Sequence, residues 1–134
     1  MNFLNKVVVT GGAGYIGSHT VVDLFRNGYS PIIIDNLCNS SINNIRGINE
    51  LINDEITLYK EDCTDYEAIS AIFKKEKNII GCIHFAAFKS VEESVLYPSK
   101  YFENNIESLM VLLKCMKENN ITNIIFSSSC TVYG

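Results

Sequence analysis

The sequence predicts an α/β domain, a doubly wound parallel sheet of five or more strands with helices on both faces. Three observations carry that expectation. Five short runs rich in β-branched residues alternate with stretches of helical spacing. Each run is apolar at nearly every position, which marks strands buried on both faces. The first run ends in a cluster of glycines that opens a helix, and right-handed crossovers then wind helices onto both sides.

Lys6–Thr10 is the first strand. From Gly14 to Arg26, Ile16, Val21, Val22, Leu24 and Phe25 suit a helix that Asn27-Gly28 terminates. Pro31–Asp35 is the second strand, with proline at its start, where a missing N–H is tolerated. A polar, turn-rich stretch leads to a short helix over Ile45–Asn53, and Ile56–Lys60 reads as the third strand. Thr64 and Glu67 have capping-box spacing ahead of a helix through Lys75, with Ile69, Ile72 and Phe73 turned inward. Ile79–Phe85 is the fourth strand. Pro98 sits at a favoured first helical position, and that helix runs to Glu118. Its stripe Phe102, Ile106, Leu109, Leu113 and Met116 is expected to face the sheet, with Tyr101, Leu112 and Cys115 on a second, outward side. Asn123–Ser128 is the fifth strand.

The 134 residues suffice for one domain, 47% of them apolar, and no linker or internal repeat is visible. A net charge of −4 argues against nucleic-acid binding. No stretch approaches the ~20 apolar residues of a spanning helix, and no signal peptide is recognisable. Cys38, Cys63, Cys82, Cys115 and Cys130 are widely scattered, without a C-x-x-C pair, so zinc and a disulfide framework are not expected. The sequence reads as cytoplasmic, with no membrane partner.

In such sheets ligands bind at the carboxyl ends of the strands, so the residues just after each strand matter most. Thr10 to Gly17 reads TGGAGYIG, satisfying G-x-G-x-x-G through Gly12, Gly14 and Gly17, and G-x-x-G-x-x-G through Gly11, Gly14 and Gly17. Glycines let a pyrophosphate approach bare backbone, and the N–H groups opening the helix meet its charge. An ordinary glycine-rich turn would lack the strand before, the helix after and the acid at the next strand's end. That acid is Asp35, placed to accept hydrogen bonds from both hydroxyls of an adenosine ribose and to repel a 2′-phosphate. Asn36 follows rather than an arginine, which selects NAD over NADP. Together these predict a Rossmann-type NAD-binding fold.

The remaining positions read two ways. Asp62 suits the adenine edge or a helix cap. His84, inside an apolar strand, is a core histidine before it is a catalytic one, and His19 in the first helix is structural. Lys89 follows Phe85-Ala86-Ala87-Phe88, where small residues admit a cofactor and the lysine is either its cation or a surface charge. Ser127-Ser128-Ser129 end the fifth strand as site hydroxyls or as caps, and without a nearby acid and histidine a hydrolase triad is unsupported.

TGGAGYIGSHT (10–20), DNLCNSS (35–41), HFAAFKSVEESV (84–95), YFENN (101–105) and SSSCTVYG (127–134) together resemble the UDP-glucose 4-epimerases of the extended short-chain dehydrogenase/reductase family. The resemblance covers the whole chain in order. It implies that Tyr15 and Ile16 contact the pyrophosphate. Asp35, Asn36, Cys38, Asn39 and Ser40 would hold the adenosine half, with Asp62 and Cys63 flanking the adenine. Phe85, Ala86, Ala87 and Lys89 would line the path to the nicotinamide, which Asn104 also reaches. Ser129 would be the catalytic hydroxyl beside the sugar's C4, Lys89 a further substrate contact, and Ser127 and Ser128 would stand behind them. NAD is the implied cofactor, a UDP-hexose the substrate, C4 epimerisation the reaction, and a homodimer the assembly of the complete protein.

Two departures qualify the carry-over. Ala87 replaces a frequent glycine. The family's basic tyrosine, in a Tyr-x-x-x-Lys pair on the helix after the fifth strand, is absent, as is the sugar-nucleotide domain, so the chain reads as an incomplete amino-terminal NAD-binding domain without turnover of its own. Two alternatives follow. A 4,6-dehydratase of the same family would carry Asp-Glu where Cys130 and Thr131 stand, and its elimination needs that further acid and base. A non-catalytic NAD-binding module is the other.

Overall fold

The computed structural model describes residues 4–88 and 91–128. Five strands form one parallel sheet: β1 (Lys6–Thr10), β2 (Ser30–Ile34), β3 (Thr57–Tyr59), β4 (Ile79–His84) and β5 (Ile124–Phe126). Their spatial order is β3-β2-β1-β4-β5, so the winding direction reverses between β1 and β4. There Thr10 pairs in register with His84, while on the other side of β1 it pairs with Ile34.

The alternation of side chains along each strand sends successive residues to opposite faces. Val8, Ile32, Ile34 and Cys82 enter one core with α3 (Tyr66–Lys75) and α5 (Pro98–Glu118), through Ile69, Phe73, Leu112 and Cys115. Val7, Val9, Ile33 and Ile83 enter the other with α1 (Tyr15–Arg26) and α2 (Ile42–Ile52), through Val21, Val22, Ile45 and Ile48. Both faces are covered, as continuously apolar strands require. Among the described residues no helix is long and apolar enough to cross a membrane.

The strands fall within a residue or two of expectation; four helices need comment. Helix α2 starts three residues early because the Ser41 hydroxyl accepts the Asn43 N–H at 3.1 Å and caps it. Helix α3 is not capped by Thr64. The Asp62 carboxylate holds both the N–H and the hydroxyl of Thr64, at 2.9 and 2.8 Å, which draws that residue into a turn. Asp65 takes the cap instead, accepting from Ala68 N–H at 3.2 Å. A six-residue helix, α4 (Val91–Leu96), was not foreseen.

The faces of α5 are the reverse of those expected. Tyr101, Leu112 and Cys115 are buried, whereas Phe102, Ile106 and Leu113 are exposed; of the expected inward stripe, Met116 alone is fully buried. The helix carries apolar residues on two sides, and the sheet selects the side with small Ser108 and Cys115, which lets the helix lie close over Val8 and Cys82. Lys6 Nζ and Tyr59 OH both donate to the Glu76 carboxylate, at 2.7 and 2.6 Å, tying β1 and β3 to the end of α3.

Candidate functional site

A cavity of about 470 Å³ opens over the carboxyl ends of β1 to β4, at the reversal of strand order. Its floor is the glycine turn. Gly11 has φ +68°, and a β-carbon there would stand 2.8 Å from Ala86 N, so the turn rests directly on the exit of β4. At Gly17 a β-carbon would lie 2.2 Å from Gly11 O. Glycine at both positions lets α1 and β4 close on the turn. No side chain caps α1 and no acid occupies its first turn, so its N-terminal N–H groups face the cavity with their positive end.

Asp35 leaves β2 at the opposite wall. Its Oδ2 accepts from Ala13 N–H at 3.1 Å; its Oδ1 accepts from Leu37 N–H at 2.8 Å and from the Ser40 hydroxyl at 3.0 Å. Leu37 has φ +62°, a left-handed conformation that costs a leucine more than it costs Asn53, Asn78 and Asn120, which share it. The bond to Asp35 helps hold that strained residue. Asn36, Cys38, Asn39 and Ser40 complete this wall, and Glu61, Asp62 and Cys63 follow from β3. Burial, and then the negative charges of Asp62 and Asp35, push the Cys63 thiol up to about 12. It lines the cavity as a neutral thiol. Among the described residues no cluster could hold a metal.

Phe85, Ala86, Ala87 and Phe88 form the wall beyond β4. Asn105 braces it with two bonds: its Oδ1 accepts Phe88 N–H at 2.8 Å and its Nδ2 donates to Phe88 O at 3.1 Å. Asn104 Nδ2 in turn donates to Asn105 Oδ1. From α4, Glu93 accepts the Tyr101 hydroxyl at 2.9 Å and pairs with Lys100, whose charge and that hydroxyl together lower the Glu93 carboxyl.

The structure therefore gathers Gly11, Gly14, Tyr15, Ile16, Gly17, Asp35, Asn36, Cys38, Asn39, Ser40, Asp62, Cys63, Phe85, Ala86, Ala87 and Asn104 around one cavity. Ser127 does not line it. It is exposed and donates its N–H to His84 O at 3.2 Å. Lys89 and Ser129 lie outside the described residues. His84 is buried in the core, and His19 is exposed on α1 with its ring edge-on to Tyr15. Glu61 and Phe88, which fall in the segments just after β3 and β4, line the cavity as well, whereas sequence reasoning missed Glu93, Tyr101 and Ser108. Tyr101, Asn104 and Ser108 recur at helical spacing on one face of α5, a polar stripe that could have been found.

The cavity suits a dinucleotide: the uncapped helix end for a pyrophosphate, a carboxylate for a ribose diol, and glycine backbone where any side chain would intrude. The family profile described as GDP-mannose 4,6 dehydratase matches residues 8–134. The bifunctional protein GAL10 of Pachysolen tannophilus is 49% identical over 98% of this chain and 19% of its own length. A UDP-glucose 4-epimerase of Bacillus subtilis (strain 168) is 44% identical over 96% of this chain and 38% of its own. The crystal structure of UDP-glucose 4-epimerase from Bifidobacterium longum in complex with NAD+ and UDP superimposes with a TM-score of 0.92 at 43% identity, over 97% of this chain and 38% of that one. The chain thus spans well under half the length of these relatives.

Proposed function

The chain belongs to the family described as GDP-mannose 4,6 dehydratase, and on that premise we propose that its cavity is the NAD site of a UDP-hexose 4-epimerase, the reaction of the complete protein being interconversion of UDP-glucose and UDP-galactose. The observation that carries this reading is the convergence of the Asp35 carboxylate and the uncapped start of α1 on one cavity. The relatives named as epimerases, and the neighbour crystallised with NAD+ and UDP, support it.

In this reading the α1 N-terminus holds the pyrophosphate, and Asp35 accepts hydrogen bonds from the adenosine ribose, with Asp62 and Cys63 at the adenine. The backbone from Phe85 to Ala87 lines the way to the nicotinamide, where Lys89 supplies a cation. Bound nicotinamide supplies the hydride acceptor and donor at the sugar's C4. The Ser129 hydroxyl orients the C4 oxygen and relays its proton toward the basic tyrosine of the Tyr-x-x-x-Lys pair that the family resemblance implies for the complete protein. Dehydration is disfavoured because Cys130 and Thr131 offer neither the acid nor the base that elimination needs.

The test is calorimetric titration of the complete protein, freed of bound nucleotide, with NAD and with NADP. NAD is expected to bind at least about tenfold more tightly, since a 2′-phosphate would meet the Asp35 carboxylate without a compensating arginine. Equal dissociation constants would overturn the assignment.

A further inference from the structure

Helix α2 reaches back to the glycine turn through a single side chain. Asn44 Nδ2 donates to Ala13 O at 2.7 Å, and the N–H at the other end of that peptide, on Gly14, donates to Gly11 O at 3.1 Å. The Ala13–Gly14 peptide is therefore pinned at both its oxygen and its nitrogen. It leads into Gly14, the N-cap residue of α1, so its tilt bears on where the first N–H groups of the helix point. On its other side Ala13 gives its own N–H to Asp35 Oδ2 at 3.1 Å.

These contacts form a closed circuit. Asp35 Oδ1 accepts the Ser40 hydroxyl, the next residue, Ser41, caps α2, and α2 carries Asn44 back to Ala13. The wall assigned to adenosine and the turn assigned to pyrophosphate are thereby one hydrogen-bonded unit. We propose that Asn44 is a positioning residue for the pyrophosphate, acting through Ala13 rather than by touching the ligand. The proposal rests on reading the cavity as an NAD site.

Asn44 is exposed on α2, so its truncation opens no core cavity. A mere packing clip between α1 and α2 would lower stability without discriminating among ligands. The experiment compares Asn44→Ala with the unmutated complete protein, titrating each with NAD and with adenosine, which has no phosphate. Asn44→Ala should weaken NAD binding about fivefold, the order expected for one neutral hydrogen bond, with adenosine affinity unchanged. Unchanged NAD affinity, or equal weakening of both ligands, would overturn the positioning role. Failure of the unmutated protein to bind NAD would instead remove the NAD-site reading itself.

Discussion

Thr10 and His84 face each other across the seam where the sheet reverses its winding, with Thr10 Oγ1 2.7 Å from His84 Nδ1. The same hydroxyl oxygen accepts the Ala86 N–H at 3.3 Å. One proton lies between the Thr10 hydroxyl and Nδ1, and the imidazole tautomer sets which of the two donates it. His84 is 2% exposed, and its ring stacks on Phe126 at 5.9 Å. Burial lowers its pKa from 6.5 to about 4.

A pH dependence follows from that burial. The unfolded chain takes up the imidazole proton near pH 6.5, whereas the folded chain resists it until about pH 4. Between those values the unfolded state binds more protons, so stability is full above 6.5 and falls with pH, by about 3 kcal/mol once both forms are protonated. Urea midpoints measured from pH 7 to 4 should fall less steeply in His84→Asn, whose amide can still hydrogen-bond to Thr10. Parallel curves for the two proteins would contradict this account of His84.

Two glycines should respond oppositely to alanine. A β-carbon at Gly17 has the Gly11 carbonyl at 2.2 Å and Gly12 Cα at 2.9 Å, both backbone, so Gly17→Ala should lower stability by several kcal/mol or force the turn open. At Gly47, within α2, a β-carbon meets nothing within 4 Å. Gly47→Ala should raise stability by about 0.5–1 kcal/mol through helix propensity. Thermal unfolding of both variants checks the pair.

Most of this geometry was legible in the chain. Alternation of strand and helix patterns located all five strands, because a buried parallel strand needs apolar residues on both faces and Val7–Val9 and Ile32–Ile34 provide them. The glycine turn was legible because backbone pressed this closely against α1 and β4 tolerates only glycine, and Asp35 because it stands at the end of the next strand. The orientation of α5 was not. Both its sides are apolar, and periodicity cannot say which one a sheet will accept. The lining role of Tyr101 was hidden by the same error, since its hydroxyl finds Glu93 only once the face is turned inward. Thr64 failed as a cap because Asp62 engages its N–H and hydroxyl, which leaves Asp65 to accept from Ala68 N–H, a choice settled by local geometry.

The cysteines should separate by reactivity. Cys38 is exposed in the cavity wall, while burial and neighbouring carboxylates raise Cys63 to about 12. Iodoacetamide at pH 8 should modify Cys38 at least about tenfold faster than Cys63, since the thiolate is the reactive form. If NAD lies in the cavity, it should also slow labelling of Cys38. Peptide mass spectrometry with and without NAD reads both effects.

Ser129→Ala in the complete protein should lower kcat by about ten- to a thousandfold, the range for one transition-state donor or proton relay. Bound NAD should be retained. An unchanged kcat would remove the catalytic role proposed for Ser129.

The central claim is tested most directly by incubating the complete protein with UDP-galactose and NAD and resolving the sugar nucleotides over time. The account predicts equilibration with UDP-glucose and no net change in NAD. A 4-keto-6-deoxy product, or no conversion by a protein that binds NAD, would contradict it.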